Sequence, residues 1–359
     1  MAIQTFLKSS KRRRWLWIVC LAFVLVGLWE LFTGIYREEE KELRRQLRET
    51  VKEKFPEQTA KFSRTIGLFF FETDREAPRG AAANRKSVVL IHGLDDPGQV
   101  WLSLAPQLVK EEFNVWLMHY PNDQPVVESA RLFFKELQGL KQRGIDRISV
   151  VAHSMGGLVS REMLTRPEIE YNASAKNKQV PEVTALIMVG TPNHGSQLVR
   201  LRVFTEMRDQ LAHMTKGEIN WLGSIIDGAG EAKIDLLPGS RFLTELNARP
   251  HPQDTDMLII AGMTSPWNES DINSWVSDLR QKVSADHQKW VDELGKNMIA
   301  LTHGLGDGLV PVESTRLEGV PHRTVEGTHL SMIRNIASDS RRMPPAVPVI
   351  IDHLKRQEN

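Results

Sequence analysis

The run from Arg147 to Arg161 constrains this chain more than any other. Arg147-Ile148-Ser149-Val150-Val151-Ala152 is a short apolar run that passes directly into His153-Ser154-Met155-Gly156-Gly157 and then Leu158-Val159-Ser160-Arg161. The order is strand, sharp turn, helix. The pattern is G-x-S-x-G with Ala152 at the first glycine position, the smallest possible departure. Small residues are needed two before and two after the serine, because the tight turn brings their Cα atoms against neighbouring backbone. The same turn strains the serine and lifts its Oγ above the sheet, which makes Ser154 a candidate nucleophile. The competing reading is a glycine-rich turn with an incidental serine. His153 is expected to pack or to touch substrate. It is a poor general base, since adjacent residues on such a turn point apart.

The surrounding chain has the rhythm that such an elbow needs. Short apolar runs occur at Ser87–Ile91, Asn114–His119, Arg147–Ala152, Thr184–Val189, Met257–Ala261 and His322–Val325, with Ile66–Phe71 as an earlier antiparallel candidate. Runs of this kind suit strands buried on both faces. Helical patterns lie between them, for example Val126–Lys141 and Gly157–Leu164. Alternating strand and helix predicts an α/β domain with a mostly parallel sheet. Ligands of such sheets bind at the C-terminal ends of the strands, where the chemical motifs of this chain fall.

Val88-Val89-Leu90-Ile91 ends at His92-Gly93-Leu94-Asp95. A loop after an early strand supplies one oxyanion donor, and the residue after the nucleophile supplies the other. The backbone N–H groups of Leu94 and Met155 are therefore the candidates, against the plainer reading of 92–95 as an ordinary β–α turn. The acid and base should follow in the order serine, acid, histidine. Gly306-Asp307-Gly308 offers Asp307, and Gly327-Thr328-His329-Leu330 offers His329 in the loop after a short strand. His303, His322 and Glu326 compete. Asp307 and His329 are preferred because each follows a strand-like segment or loop in the right order. Gly-Asp-Gly also resembles a calcium turn, but a single Asp is too few ligands.

The 359-residue length allows one large domain, and the net charge of +1 gives no field that argues for nucleic acid. The single cysteine, Cys20, excludes an intramolecular disulfide and a cysteine-based metal site. No metal site and no cofactor is expected. Cys20 lies in the most apolar stretch, where only Glu30 is charged between Trp15 and Tyr36. A helix needs about 20 apolar residues to cross the hydrocarbon core. Residues 15–36 are read as an uncleaved transmembrane anchor; the exit lacks the small residues of a signal-peptide cleavage site. Lys8 and Lys11-Arg12-Arg13-Arg14 assign residues 1–14 to a cytoplasmic tail and the catalytic domain to the non-cytoplasmic side. Residues 37–60 read as a charged helical spacer, with Leu43, Leu47 and Val51 as a narrow apolar stripe. The hydrolytic domain would span 61–359.

With these pieces placed, the chain resembles lipases and esterases of the α/β-hydrolase superfamily, the bacterial triacylglycerol-lipase and PGAP1-like groups in particular. The matching motifs are HGL at 92–94, AHSMGG at 152–157, GTPNHGS at 190–196, GDGLVP at 306–311 and GTHL at 327–330. The resemblance implies the α/β-hydrolase fold, a triad of Ser154, Asp307 and His329, and an ester or lipid acyl substrate. It also implies that the loop at 190–196 shapes the floor of the site and leads to a lid, with His194 structural. Residues 198–237 form an insertion-like, methionine-rich segment that reads equally as a lid or as a packed cap helix. A second insertion, Ser265–Met298, carries Trp267, Trp275 and Trp290. Two rival functions stay open: acyl transfer or amide hydrolysis with the same triad, and a silent binding module that keeps the fold.

Overall fold

Strand-forming runs with both faces apolar must be covered on both faces, and that requirement sets the architecture. The computed structural model describes residues 37–54, 56, 65–71, 86–94, 96, 98–122, 124–196, 231–264, 269–282, 288–289, 291–292, 294–296, 304, 306–335 and 340–356. Within these, seven strands make one sheet: β1 (Gly67–Phe70), β2 (Ser87–Ile91), β3 (Asn114–His119), β4 (Arg147–His153), β5 (Glu182–Val189), β6 (Asp256–Met263) and β7 (His322–Glu326). Their order across the sheet is β1-β3-β2-β4-β5-β6-β7. β1 runs antiparallel to β3, and every other neighbouring pair is parallel. Each apolar run read from the sequence is a strand. β6 extends past Ala261 because Gly262 and Met263 still pair with Val325 and Glu326 of β7.

Successive strand side chains point to opposite faces, so each strand feeds two separate cores. One gathers Val89, Ile91, Val150, Ala152, Leu186 and Met188. Against it lie α3 (Val126–Gln142) and α4 (Met155–Thr165), following α1 (Arg37–Lys54) and α2 (Leu104–Lys110) in the chain. The other core gathers the alternate residues Val88, Leu90, Val151, Ile187 and Val189 beneath α2 and a C-terminal helix, Ala346–Arg356. Phe133 and Leu137 of α3 are fully buried. Deleting a buried side chain of this size costs about 2–5 kcal/mol. α4 begins at Met155, two residues before the helical pattern does, because the turn at Ser154 leads directly into the helix.

The N-terminal helix differs from the solvated spacer expected at 37–60. α1 forms over Arg37–Lys54, but Arg48 is 1% exposed. Its guanidinium lies 3.0 Å from Glu128 Oε1 on α3 and 3.4 Å from Glu231 Oε1. Glu231 opens α5 (Glu231–Asp235). Lys41 donates to Asp235 Oδ1 at 2.5 Å, and Asp235 Oδ2 accepts from the Val126 amide at the start of α3. The helix is thus docked through charges, which a search for apolar periodicity does not detect. Residues 231–237, expected within the insertion, are also part of the body: Ala232, Ile234 and Leu236 are buried. The rest of that insertion, residues 198–230, and the expected anchor at 15–36 lie outside the described residues. Among the described residues no helix is long and apolar enough to cross a membrane.

Candidate active site

β4 delivers Ser154 to the C-terminal edge of the sheet with φ 54° and ψ −127°. A left-handed φ is strained for any residue with a Cβ and persists only where surroundings hold it. Here the Ser154 amide donates to Val189 O at 2.8 Å, and the Gly157 amide closes the turn onto Ser154 O at 3.1 Å. The glycine two residues after the serine is required by close approach. A Cβ on Gly156 would lie 2.3 Å from Ile91 O and 2.6 Å from His92 O. α4 can therefore abut the end of β2 only without a side chain at that position.

The loop after β2 reaches over the serine. A Cβ on Gly93 would stand 2.6 Å from Ser154 Cβ and 3.1 Å from its Oγ. Tyr120 Oη donates to His92 O at 2.7 Å, and the two rings stack at 4.6 Å. Burial pushes His92 down to about 4, so its imidazole is neutral at physiological pH. The ring's Nδ1 then donates to Gly93 O at 2.9 Å. Leu94 is buried in this braced loop, and Met155 is the first residue of α4. The opening amides of a helix have no intrahelical acceptor, which leaves the Met155 N–H available to a ligand.

Asp307 lies in the loop that approaches β6 and is 2% exposed. Its Oδ1 accepts the amides of Leu309 (2.9 Å) and Val310 (2.7 Å). Oδ2 accepts from His329 Nδ1 at 2.7 Å. That bond puts the proton on Nδ1 and leaves Nε2 as the acceptor nitrogen. His329 follows β7, whose end is fixed by the Gly327 amide donating to Met263 O at 2.9 Å. Gly190, directly after Val189, joins the two halves. A Cβ there would lie 3.1 Å from Asp307 Oδ2 and 3.2 Å from His329 Cε1. The sequence candidates Ser154, Asp307, His329, Leu94 and Met155 thus share one edge of the sheet. Among the described residues no hydrogen bond joins Ser154 Oγ to His329. Catalytic hydrogen bonds are often long in the absence of substrate and tighten when it binds.

The competing residues are elsewhere or otherwise engaged. His322 starts β7, at the other end of the strand, and its Nε2 is 2.8 Å from Thr315 Oγ1. Glu326 is exposed, and His303 lies outside the described residues. His194 is structural: its Nε2 is 3.0 Å from Arg316 O, and its amide donates to Ser314 O. Among the described residues no group of three His, Cys, Asp or Glu could hold a metal ion.

Sequence reasoning missed the residues that hold the loop at 190–196. Arg161 is buried on α4 and bonds Asn193 Oδ1 and Asn247 Oδ1, both at 3.0 Å. Asn193 Nδ2 passes the connection to Thr315 O at 2.7 Å. Burial pulls the Arg161 guanidinium down to about 10. The one available signal was Asn193 within the glycine- and proline-bounded motif. The amide partner Asn247 has no sequence signature.

Comparison with known proteins agrees with the family resemblance. Residues 130–288 match the model of the PGAP1-like alpha/beta domain family, a span that includes Ser154 and ends before Asp307. No curated protein matches the chain. Among solved structures, the chain is similar to the mature form of Bacillus licheniformis lipase BlEst2, at 19% identity and TM-score 0.48 over 80% of this chain and 97% of that one. A metagenomic carboxyl esterase aligns at 19% identity and TM-score 0.49, over 79% of each chain. Staphylococcus hyicus lipase aligns at 15% identity and TM-score 0.48, over 79% of this chain and 98% of that one. These three solved structures are described as two lipases and a carboxyl esterase, and the matching family model as a PGAP1-like alpha/beta domain.

Proposed function

We propose that this chain is a membrane-tethered serine hydrolase that cleaves carboxylic esters, lipids among them, without a cofactor. Ser154 is the nucleophile, His329 the general base and acid, and Asp307 the residue that orients the imidazole. The observation that carries the reading is the pairing of a strained serine elbow with a buried His329–Asp307 hydrogen bond of 2.7 Å at the same sheet edge. A hydroxyl needs such a base to become a useful nucleophile.

In the reaction, Ser154 Oγ attacks the acyl carbon while His329 Nε2 takes the hydroxyl proton. The carbonyl π electrons move onto oxygen, and the oxyanion accepts from the amides of Leu94 and Met155, worth about 3 kcal/mol per donor. Collapse of the tetrahedral intermediate breaks the ester C–O bond, and His329 returns its proton to the departing alcohol. Water then attacks the acyl-enzyme, giving its proton to His329, and a second collapse frees the acid and restores Ser154. Asp307 stays ionised throughout and stabilises the imidazolium. The anchor at 15–36 would hold this site beside a bilayer, with the catalytic domain on the non-cytoplasmic face.

The test is turnover of p-nitrophenyl esters of increasing chain length by the purified full chain in detergent, beside Ser154→Ala. Serine-dependent release of nitrophenolate is expected, and the chain-length profile separates a short-chain esterase from a lipase. Folded protein with no Ser154-dependent turnover would overturn the reading in favour of a silent binding module.

A further inference from the structure

His153 has no role in the reaction described above, yet it is 2% exposed and turned towards the base. Its Nε2 is 2.9 Å from the main-chain carbonyl oxygen of His329. A carbonyl only accepts, so this nitrogen carries a proton and donates. The two imidazoles are 4.5 Å apart and tilted by 49°. Behind His153, the Trp101 ring meets it edge-on at 6.5 Å. On the other side of His329, its main-chain amide donates to Asp307 O at 2.9 Å.

The peptide groups flanking the His329 Cα are therefore held from two directions. Asp307 takes the N–H, and His153 supplies the donor to the C=O. His153 is also covalently next to Ser154 and is the last residue of β4. Any displacement of the elbow moves the donor that fixes the loop of the base. We propose that His153 is a positioning residue: it ties the main chain of His329 to the serine elbow and so sets the Ser154–His329 spacing. The inference rests on the proposed hydrolase reading and assigns a device within the same site. A fixed register between nucleophile and base matters because a 1 Å misplacement of reacting groups can cost about 100-fold in rate.

Three substitutions separate the donor from the ring and from simple bulk. His153→Phe keeps an aromatic ring and removes the donor. His153→Asn keeps an amide that stops short of the Nε2 position. His153→Gln carries an N–H donor to nearly the place of Nε2. On a p-nitrophenyl ester, Phe and Asn variants are expected to lose about 10- to 100-fold in kcat, with KM held and circular dichroism unchanged. Gln is expected to recover most of the loss. A merely structural role would lower the folded fraction and leave the kcat of the folded protein and the rescue pattern unaffected. Full kcat in both the Phe and Asn variants would overturn the proposal, as would failure of Gln to exceed them.

A second readout does not depend on turnover. Hydrogen exchange of the peptide spanning residues 326–333 should be faster in the Phe and Asn variants than in the parent, and restored by Gln. If the parent shows no Ser154-dependent turnover, the hydrolase reading fails, while the exchange pattern still decides whether His153 holds this loop. Equal exchange in all four proteins would overturn the positioning role by itself.

Discussion

At the C-terminal edge of the sheet, both carboxylate oxygens of Asp307 are bonded, to two main-chain amides and to His329 Nδ1. Where α1 meets α5, buried charge is handled differently. Arg48 and Glu231, at 1% and 0% exposure, face each other at 3.4 Å. Both carboxylate oxygens of Glu231, and Nε and Nη1 of Arg48, have no hydrogen-bond partner among the described residues. The first cluster is built on local turns, whose amides arrive with the backbone. The second is built from long side chains whose parent residues are 183 positions apart, Arg48 and Glu231. Backbone-built sites confine a side chain's effect to the chemistry, whereas an ion pair with unbonded atoms ties its side chains to stability. A buried pair is costly to desolvate and more costly to leave half-removed.

The largest expected effect that would break this comparison lies at the first cluster. Asp307→Asn keeps an oxygen for the Leu309 and Val310 amides and so should melt like the parent. Its amide would face His329 Nδ1 with a donor and force the proton onto Nε2, which then cannot accept from Ser154. A loss of roughly 10,000-fold in kcat is expected. A variant that unfolds, or one that keeps its activity, would show that Asp307 is not arranged as argued. Next comes Arg48→Met, which leaves Glu231 and Glu128 without their cation. A loss of about 3–5 kcal/mol in denaturant unfolding is expected, with kcat/KM of the folded fraction unchanged. Adding Glu231→Leu should return most of that stability. Additive losses in the double variant would mean that the two charges do not interact.

The smallest effect concerns pH. Burial raises the Glu231 carboxyl from its ordinary 4.5 to about 7, against the lowering influence of Arg48 and Lys41 and with the raising influence of Glu128 and Asp235. The folded protein then binds this proton more tightly than the unfolded chain. Its contribution to stability is complete below about 4.5 and is lost as pH rises through about 7. Unfolding free energy should decline across that window in the parent and decline less in Glu231→Gln. Parallel pH profiles for the two proteins would remove Glu231 as the cause.

How much of this was readable in advance divides along the same line. β2 to β6 were visible because buried strands of a parallel sheet are continuous apolar runs; β1, antiparallel, and β7, largely exposed, were marked only by shorter stretches. Ser154 was visible because the elbow demands small residues at 152 and 156. Asp307 and His329 were nominated by chain order, and the structure brings the two side chains within a 2.7 Å hydrogen bond. His153 was noticed, but its contact with the His329 carbonyl depends on a tertiary approach between residues 176 positions apart. Arg161 and Arg48 were not singled out, since the sequence around an arginine does not show whether its guanidinium faces water or buried partners, the amides Asn193 and Asn247 for Arg161 and the acid Glu231 for Arg48. Apolar periodicity reports burial by carbon, and charged burial leaves no comparable trace.

The docking of α1 also has a consequence for reach. An 18-residue helix is about 27 Å long, and Arg48 sits about 17 Å from its first residue. A flexible chain of equal length would let the catalytic body wander through a volume of radius about 23 Å. Fastened as it is, the helix acts as a strut. The start of the helix at Arg37 is thereby held at a set place relative to the sheet edge that carries Ser154.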